Sequence, residues 1–179
     1  MILIISTCKE SLHDYEFVRP IEKILKKNKI KFKTLNYRKI SKKDFNNCEK
    51  IIISGTSFRD NEFINHVGKF KPLLKFDKPI LGIGAGFQIL SSLYNSNLIK
   101  GKELGVFIVN FKENFLGLFG KQKIYLIHRY SSEPSCFEVY AKTKYIQAAK
   151  HKSKPIYGTL FHPEIYNPEL ILNFSKLKF

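Results

Sequence analysis

The sequence is poor in the residues that staple a small protein together. Its 179 residues include no Trp, one Met and three Cys. Cys8, Cys48 and Cys136 are odd in number and far apart, with no CxxC pair. That pattern excludes a disulfide framework and a thiolate zinc site. It favours a reducing, cytoplasmic location. No His/Cys/Asp/Glu spacing resembles a metal site, so no metal ion is expected, and no cofactor either. No apolar run approaches the roughly 18 residues of a membrane span. Met1–Ile5 is too short for a signal-peptide core, and no basic segment precedes it. Repeats, linkers and low-complexity tracts are also lacking.

Acidic residues and arginine are scarce as well. Asp and Glu total 15 against 31 Lys and Arg, a formal charge of +16. Arginine stands only at Arg19, Arg38, Arg59 and Arg129, so the excess is lysine. A charge of this size raises nucleic acid as a partner. No nucleic-acid motif accompanies it. The lysine runs around Lys23–Lys31 and Lys150–Lys154 are separate. The joint abundance of Lys, Ile, Asn, Phe and Tyr is also what AT-rich codon usage produces.

What the chain does have is apolar mass. Hydrophobic residues make up 44%, with 16 Phe and 9 Tyr, too many for a disordered chain. The length predicts one domain, residues 1–179, able to bury roughly 70% of its unfolded surface. Met1–Ser6, Glu49–Ser54 and Lys78–Ile83 are short, continuously apolar runs, the mark of buried parallel strands. Ile30–Tyr37 alternates as a strand does. Helices are expected over Tyr15–Lys29, Asn61–Val67, Phe87–Asn95 and Pro168–Lys176. The second half reads as antiparallel strands at Glu103–Lys112, Lys123–His128, Phe137–Lys142 and Tyr145–Lys150, then Ile156–Phe161. Phe107, Phe111, Phe115 and Phe119 recur every four residues. We read them as strand and loop, in a core or at a partner surface. His13 and His66 are expected at the surface, and His151 sits in a lysine cluster.

Two segments carry chemistry. Pro79–Leu90 is a buried strand, the glycine-dense turn Gly82-Ile83-Gly84-Ala85-Gly86, and a helix holding Gln88. That is the layout of a nucleophile elbow, which presents one residue on a strained turn beside helix amides. Its plain alternative is a turn that only lets strand and helix pack closely. Tyr157–Glu164 is a strand that delivers His162 and, two residues on, Glu164. A His can act as a base, and a carboxylate can orient it.

Together and in this order the two segments resemble the class I, or triad, glutamine amidotransferases. Gly82, Gly86 and Gln88 match the family's elbow, and Phe161–Glu164 matches its His-Pro-Glu segment. Ala149–Glu164 looks most like the glutaminase subunit of two-subunit GMP synthetases, and Ile51–Gly55 resembles the strand before the family's oxyanion loop. The resemblance implies a flavodoxin-like α/β fold, with a mainly parallel central sheet, helices on both faces and an antiparallel addition. It implies that the end of the fourth strand lies close to His162 and Glu164, with Gly55, Thr56, Ala85 and Gln88 around the old pocket.

The decisive departure is at the nucleophile, where Gly84 replaces the family's cysteine. Gly55 is followed by Thr56 rather than a second glycine. His128 corresponds to the His of the GMP-synthetase Ser-His-x-Asp segment, but Ile127 and Tyr130 stand where its Ser and Asp would be. His128 and Tyr130 are expected to face a partner. A glutaminase-deficient homologue is therefore expected, with a synthetase-type or other protein partner, or a small-molecule ligand near Gly84. Two alternatives stay open. One is altered chemistry on the same fold using His162, with Ser54, Thr56 and Ser57 as nearby hydroxyls. The other is nucleic-acid binding.

Overall fold

The apolar runs decide the centre of the fold. In the computed structural model, which describes residues 1–178, Ile2–Ser6 forms β1 with all five residues buried. β2 is Phe32–Asn36, β3 Lys50–Ile53 and β4 Ile80–Ile83. Between them lie α1 (Asp14–Phe17), α2 (Arg19–Lys27) and α3 (Lys42–Asn46). After β4 come α4 (Ala85–Leu93), β5 (Leu98–Phe115), β6 (Leu118–Ser132), β7 (Phe137–Lys142), β8 (Ile146–His151) and β9 (Ile156–Thr159). α5 (Pro163–Tyr166) and α6 (Pro168–Lys176) follow. Phe179, the last residue of the expected domain, lies outside the described residues.

The main sheet has the order β2-β1-β3-β4-β9-β8-β7. Its first five strands are parallel, and β8 and β7 are antiparallel additions. β4 is therefore the central strand. Alternate residues of each parallel strand feed two cores, one on each face. Ile2, Ile4, Ile52 and Leu81 meet Ile21 and Leu25 of α2 and Leu170 and Phe174 of α6. Leu3, Ile5, Ile51 and Ile53 meet Phe87 and Leu90 of α4 and Phe70 and Leu73 of the segment before β4. Helices on both faces of a mainly parallel sheet are the expected flavodoxin-like arrangement.

The departures have local causes. The expected helix over Tyr15–Lys29 is broken at Val18. Pro20 lacks the amide hydrogen that a continuous helix would need there. The helix expected over Asn61–Val67 is a 3-10 helix running Glu62–Lys75. Gly68 and Pro72 both disfavour an α-helix interior. β5 and β6 are far longer than expected and form a separate two-stranded sheet. A two-residue turn joins them, with positive φ at Leu116 (52°) and Gly117 (94°), the type I′ geometry that suits strand twist. Phe111 and Phe115 are buried on its inner face, Phe107 is half-buried, and Phe119 is exposed. A four-residue spacing is also a multiple of two, so a strand can use it. His13 and His66 are half-buried, and His151 is buried against Phe137 and Tyr94. Among the described residues, no helix is long and apolar enough to cross a membrane.

Candidate functional site

Three strand ends meet at the carboxyl edge of the sheet. β3 leads into Gly55, β4 into Gly84, and β9 into His162. Because β3, β4 and β9 are parallel neighbours, their following residues emerge on the same edge. Gly84 takes φ 51° and ψ −110° and caps α4. Its amide donates to the Thr159 carbonyl at 2.7 Å, and its carbonyl accepts from the Gln88 amide at 3.1 Å. The turn is thus locked to β9 and to the first turn of α4. A Cβ built on Gly84 would stand 3.0 Å from His162 Nε2 and 3.5 Å from the Gly55 Cα. The glycine therefore occupies the place from which a side chain would face the imidazole.

His162 and Glu164 are 1% and 8% exposed. His162 Nδ1 lies 2.7 Å from Glu164 Oε1. An acceptor at that nitrogen fixes the proton on Nδ1. Nε2 is left as the acceptor aimed at Gly84, and it has no hydrogen-bond partner among the described residues. Edge-on contact with Phe17 at 5.3 Å and the His162 amide donating to the Tyr125 carbonyl (2.9 Å) hold the imidazole in place. Gly55 forms its seat. A Cβ on Gly55 would collide with the imidazole carbon between the two nitrogens.

The loop after Gly55 is strapped by Asp60, a residue that no motif in the sequence marks. The buried Asp60 carboxylate accepts from Thr56 Oγ1 at 2.8 Å and from the Lys9 amide at 2.6 Å. Its other oxygen accepts from the Glu62 amide at 3.3 Å. Thr7 Oγ1 anchors the same stretch through the Ser54 and Gly55 carbonyls. Thr56 is thus part of a closed polar network. Ser54 Oγ also turns inward, donating to the Gly55 carbonyl at 2.8 Å.

Ala85 and Gln88 border the adjoining space, with Thr56, Asp60 and Tyr130 opposite. Gln88 Nε2 donates to the Tyr130 carbonyl at 2.8 Å. The remaining cavity is about 20 Å³. That is room for about one water. His128, expected to face a partner, instead points inward and is 3% exposed. Its nitrogens lie 3.0 Å from the Gly101 carbonyl and 3.2 Å from Glu103 Oε2. Burial pushes its pKa down, against the pull of the Gly101 carbonyl and Glu103. The Gly101 carbonyl and the Glu103 carboxylate, on the β5 stretch opposite His128, draw the ring inward. Tyr130 is half-exposed and lines the small space at Gln88.

Cys8 is the one cysteine near the site, with Sγ 3.8 Å from the Gly55 carbonyl. Burial raises its pKa to about 12, so it stays a protonated, inert thiol. No group of three or more His, Cys, Asp or Glu is placed to hold a metal ion among the described residues.

The sequence profile of the class-I glutamine amidotransferases matches residues 11–171. A subunit of the glutamine-hydrolyzing GMP synthase of Pyrococcus abyssi is 30% identical over 141 residues, which is 69% of this chain and 75% of that protein. The crystal structure of a Thermoplasma acidophilum protein, described as a candidate GMP synthase subunit, superposes with a TM-score of 0.83 at 23% identity. It covers 98% of this chain and 92% of that one. A Thermotoga maritima glutamine amidotransferase superposes with a TM-score of 0.71 at 17% identity, covering 98% and 89%. At such identities the two structures speak for the fold, while the profile reaches from α1 to α6. The ordered elbow and His-Pro-Glu segment thus belong to a chain-long match, and the chain is a member of the class-I glutamine amidotransferase family.

Proposed function

We propose that this chain is a glutaminase-deficient amidotransferase homologue that works in complex with a protein partner. The observation that carries the reading is Gly84. Glutamine hydrolysis in this family needs a thiolate to add to the amide carbon, so that ammonia leaves and a thioester remains for water to cleave. Gly84 offers no atom to form that bond, although His162 Nε2 faces it. Two further features support the reading. Thr56 is tied into the Asp60 network, and Gln88 is engaged by the Tyr130 carbonyl. A protein partner fits the relatives, which are described as subunits of GMP synthases. His128 is turned inward, so it is not among the groups this chain offers that partner.

The intact His162–Glu164 pair is the observation favouring altered chemistry. Its packing against Gly55 and Phe17 accounts for its retention without any reaction. Residues 1–179 are proposed to act as one domain, in the cytoplasm, without a cofactor.

The test is ammonia release from glutamine by Gly84→Cys. Restoring the thiol is expected to leave turnover well below the family's, because Thr56 remains fixed in the loop after Gly55. Family-level turnover in that variant would show that only one atom separates this chain from a working glutaminase, and would remove the claim of broader drift.

A further inference from the structure

A second concave site lies beside the space at Gln88, and its chemistry is different. The pairing of β5 with β6 slips between Lys100 and Glu103. Such a bulge turns side chains away from the regular alternation. Here it opens a groove of about 450 Å³, lined by Lys100, Lys102, Arg129, Lys144, Tyr130 and Tyr145. That volume lies within the range of small-ligand clefts. The groove is built into the fold. Gly101 forms its floor, and a Cβ there would collide with the Tyr145 ring.

Four cationic residues line this groove, and none has a carboxylate within ion-pair distance among the described residues. Aromatic faces hold three of them. Lys102 and Arg129 lie 5.6 and 5.5 Å from the Phe58 ring centre, and Lys144 lies 5.4 Å from that of Tyr145. Glu103, the acidic residue of this stretch, is turned beneath the floor. Its Oε2 accepts from Thr143 Oγ1 at 2.9 Å and Gln147 Nε2 at 2.7 Å and faces His128. Unpaired cations in a concave site raise the local concentration of anions. Arg and Lys are the side chains that bind phosphate oxygens. The two tyrosines offer ring faces beside the charge.

We propose that this groove binds a small molecule carrying two or more phosphate groups, of the nucleoside polyphosphate or pyrophosphate class. The inference stands apart from the glutaminase reading, since it uses none of Gly84, His162 and Glu164. Arg129 and Tyr130 border both this groove and the small space at Gln88.

The test is calorimetric titration of the full chain with inorganic pyrophosphate, ATP without divalent ions, and adenosine, at about 50 mM salt. Pyrophosphate and ATP are expected to bind one per chain and adenosine not to bind. If ATP alone binds, the ligand is a nucleotide; if both bind equally, the phosphates are the whole determinant. The Lys100→Ala/Lys144→Ala pair is expected to weaken binding by about tenfold or more, the loss of two charge-assisted contacts. The Lys26→Ala/Lys27→Ala pair on α2 removes the same charge elsewhere and is expected to change binding less than about twofold. All four lysines are exposed, so both variants should fold, which circular dichroism checks. Absence of binding by both phosphates overturns the proposal. So does equal weakening by the control pair, or binding confined to long polyanions or acidic peptides that pyrophosphate does not displace.

Discussion

Gly84 is where one residue decides the chemistry and also carries a stability consequence. At φ 51° and ψ −110° a side chain is strained, and its Cβ would press on His162 at 3.0 Å. Gly84→Ala and Gly84→Cys are each expected to cost about 1–3 kcal/mol, read by denaturant unfolding. An unchanged midpoint would show that the turn carries no strain. Much of this was legible in the sequence. The order of Gly84 after an apolar strand and of His162 after another places both at one sheet edge, because parallel neighbours end on the same side. The inward turn of His128 was not legible. It depends on Glu103, which lies 25 residues away in the chain and reaches His128 only through the pairing of β5 with β6.

At the scale of elements, the loop after β3 is held by one carboxylate. Asp60 collects a hydroxyl and two amides from Thr56, Lys9 and Glu62. Asp60→Ala leaves buried donors unpaired and is expected to cost about 1–3 kcal/mol. Hydrogen exchange in residues 55–62 should rise in that variant; protection equal to the parent would show that the strap is not needed. No motif marks Asp60; Thr56 and Glu62 are its near neighbours in the chain, but the Lys9 amide comes from 51 residues away, after β1. The strands β1, β3 and β4 were legible because each is a short run that is apolar on almost every residue. The hairpin was underread for the opposite reason. Leu116-Gly117 lacks the usual Asn or Asp of a type I′ turn, and Lys and Glu interrupt the alternation along β5.

Across the whole molecule, the charge of +16 is a first hint of a polyanion partner. The fold gathers four of those cations into the groove by Tyr130 and Tyr145, a grouping invisible in the chain because Lys100 and Lys144 are 44 residues apart. Global stability should also respond to acid through His151. Its Nδ1 accepts from the Ser153 and Lys154 amides at 3.1 and 3.2 Å, which fixes the neutral ring. Burial, then the Lys154 charge, hold its pKa below the usual 6.5. Between that lowered value and 6.5 the unfolded chain binds a proton that the folded chain refuses. This stability is therefore full above 6.5 and declines as pH falls from there toward the lowered folded value. Melting temperatures measured between neutral pH and about pH 5.5 should fall, and less steeply in His151→Gln. Parallel curves for the two proteins would assign the acid sensitivity to other groups.

The central claim is that an intact amidotransferase fold has lost glutamine hydrolysis at its nucleophile. Ammonia release from glutamine by the unmodified chain, over a range of protein concentrations and beside His162→Ala, tests it most directly. Release indistinguishable from the protein-free blank in both is the expected result. Release that rises in proportion to the unmodified protein and vanishes in His162→Ala would contradict the account.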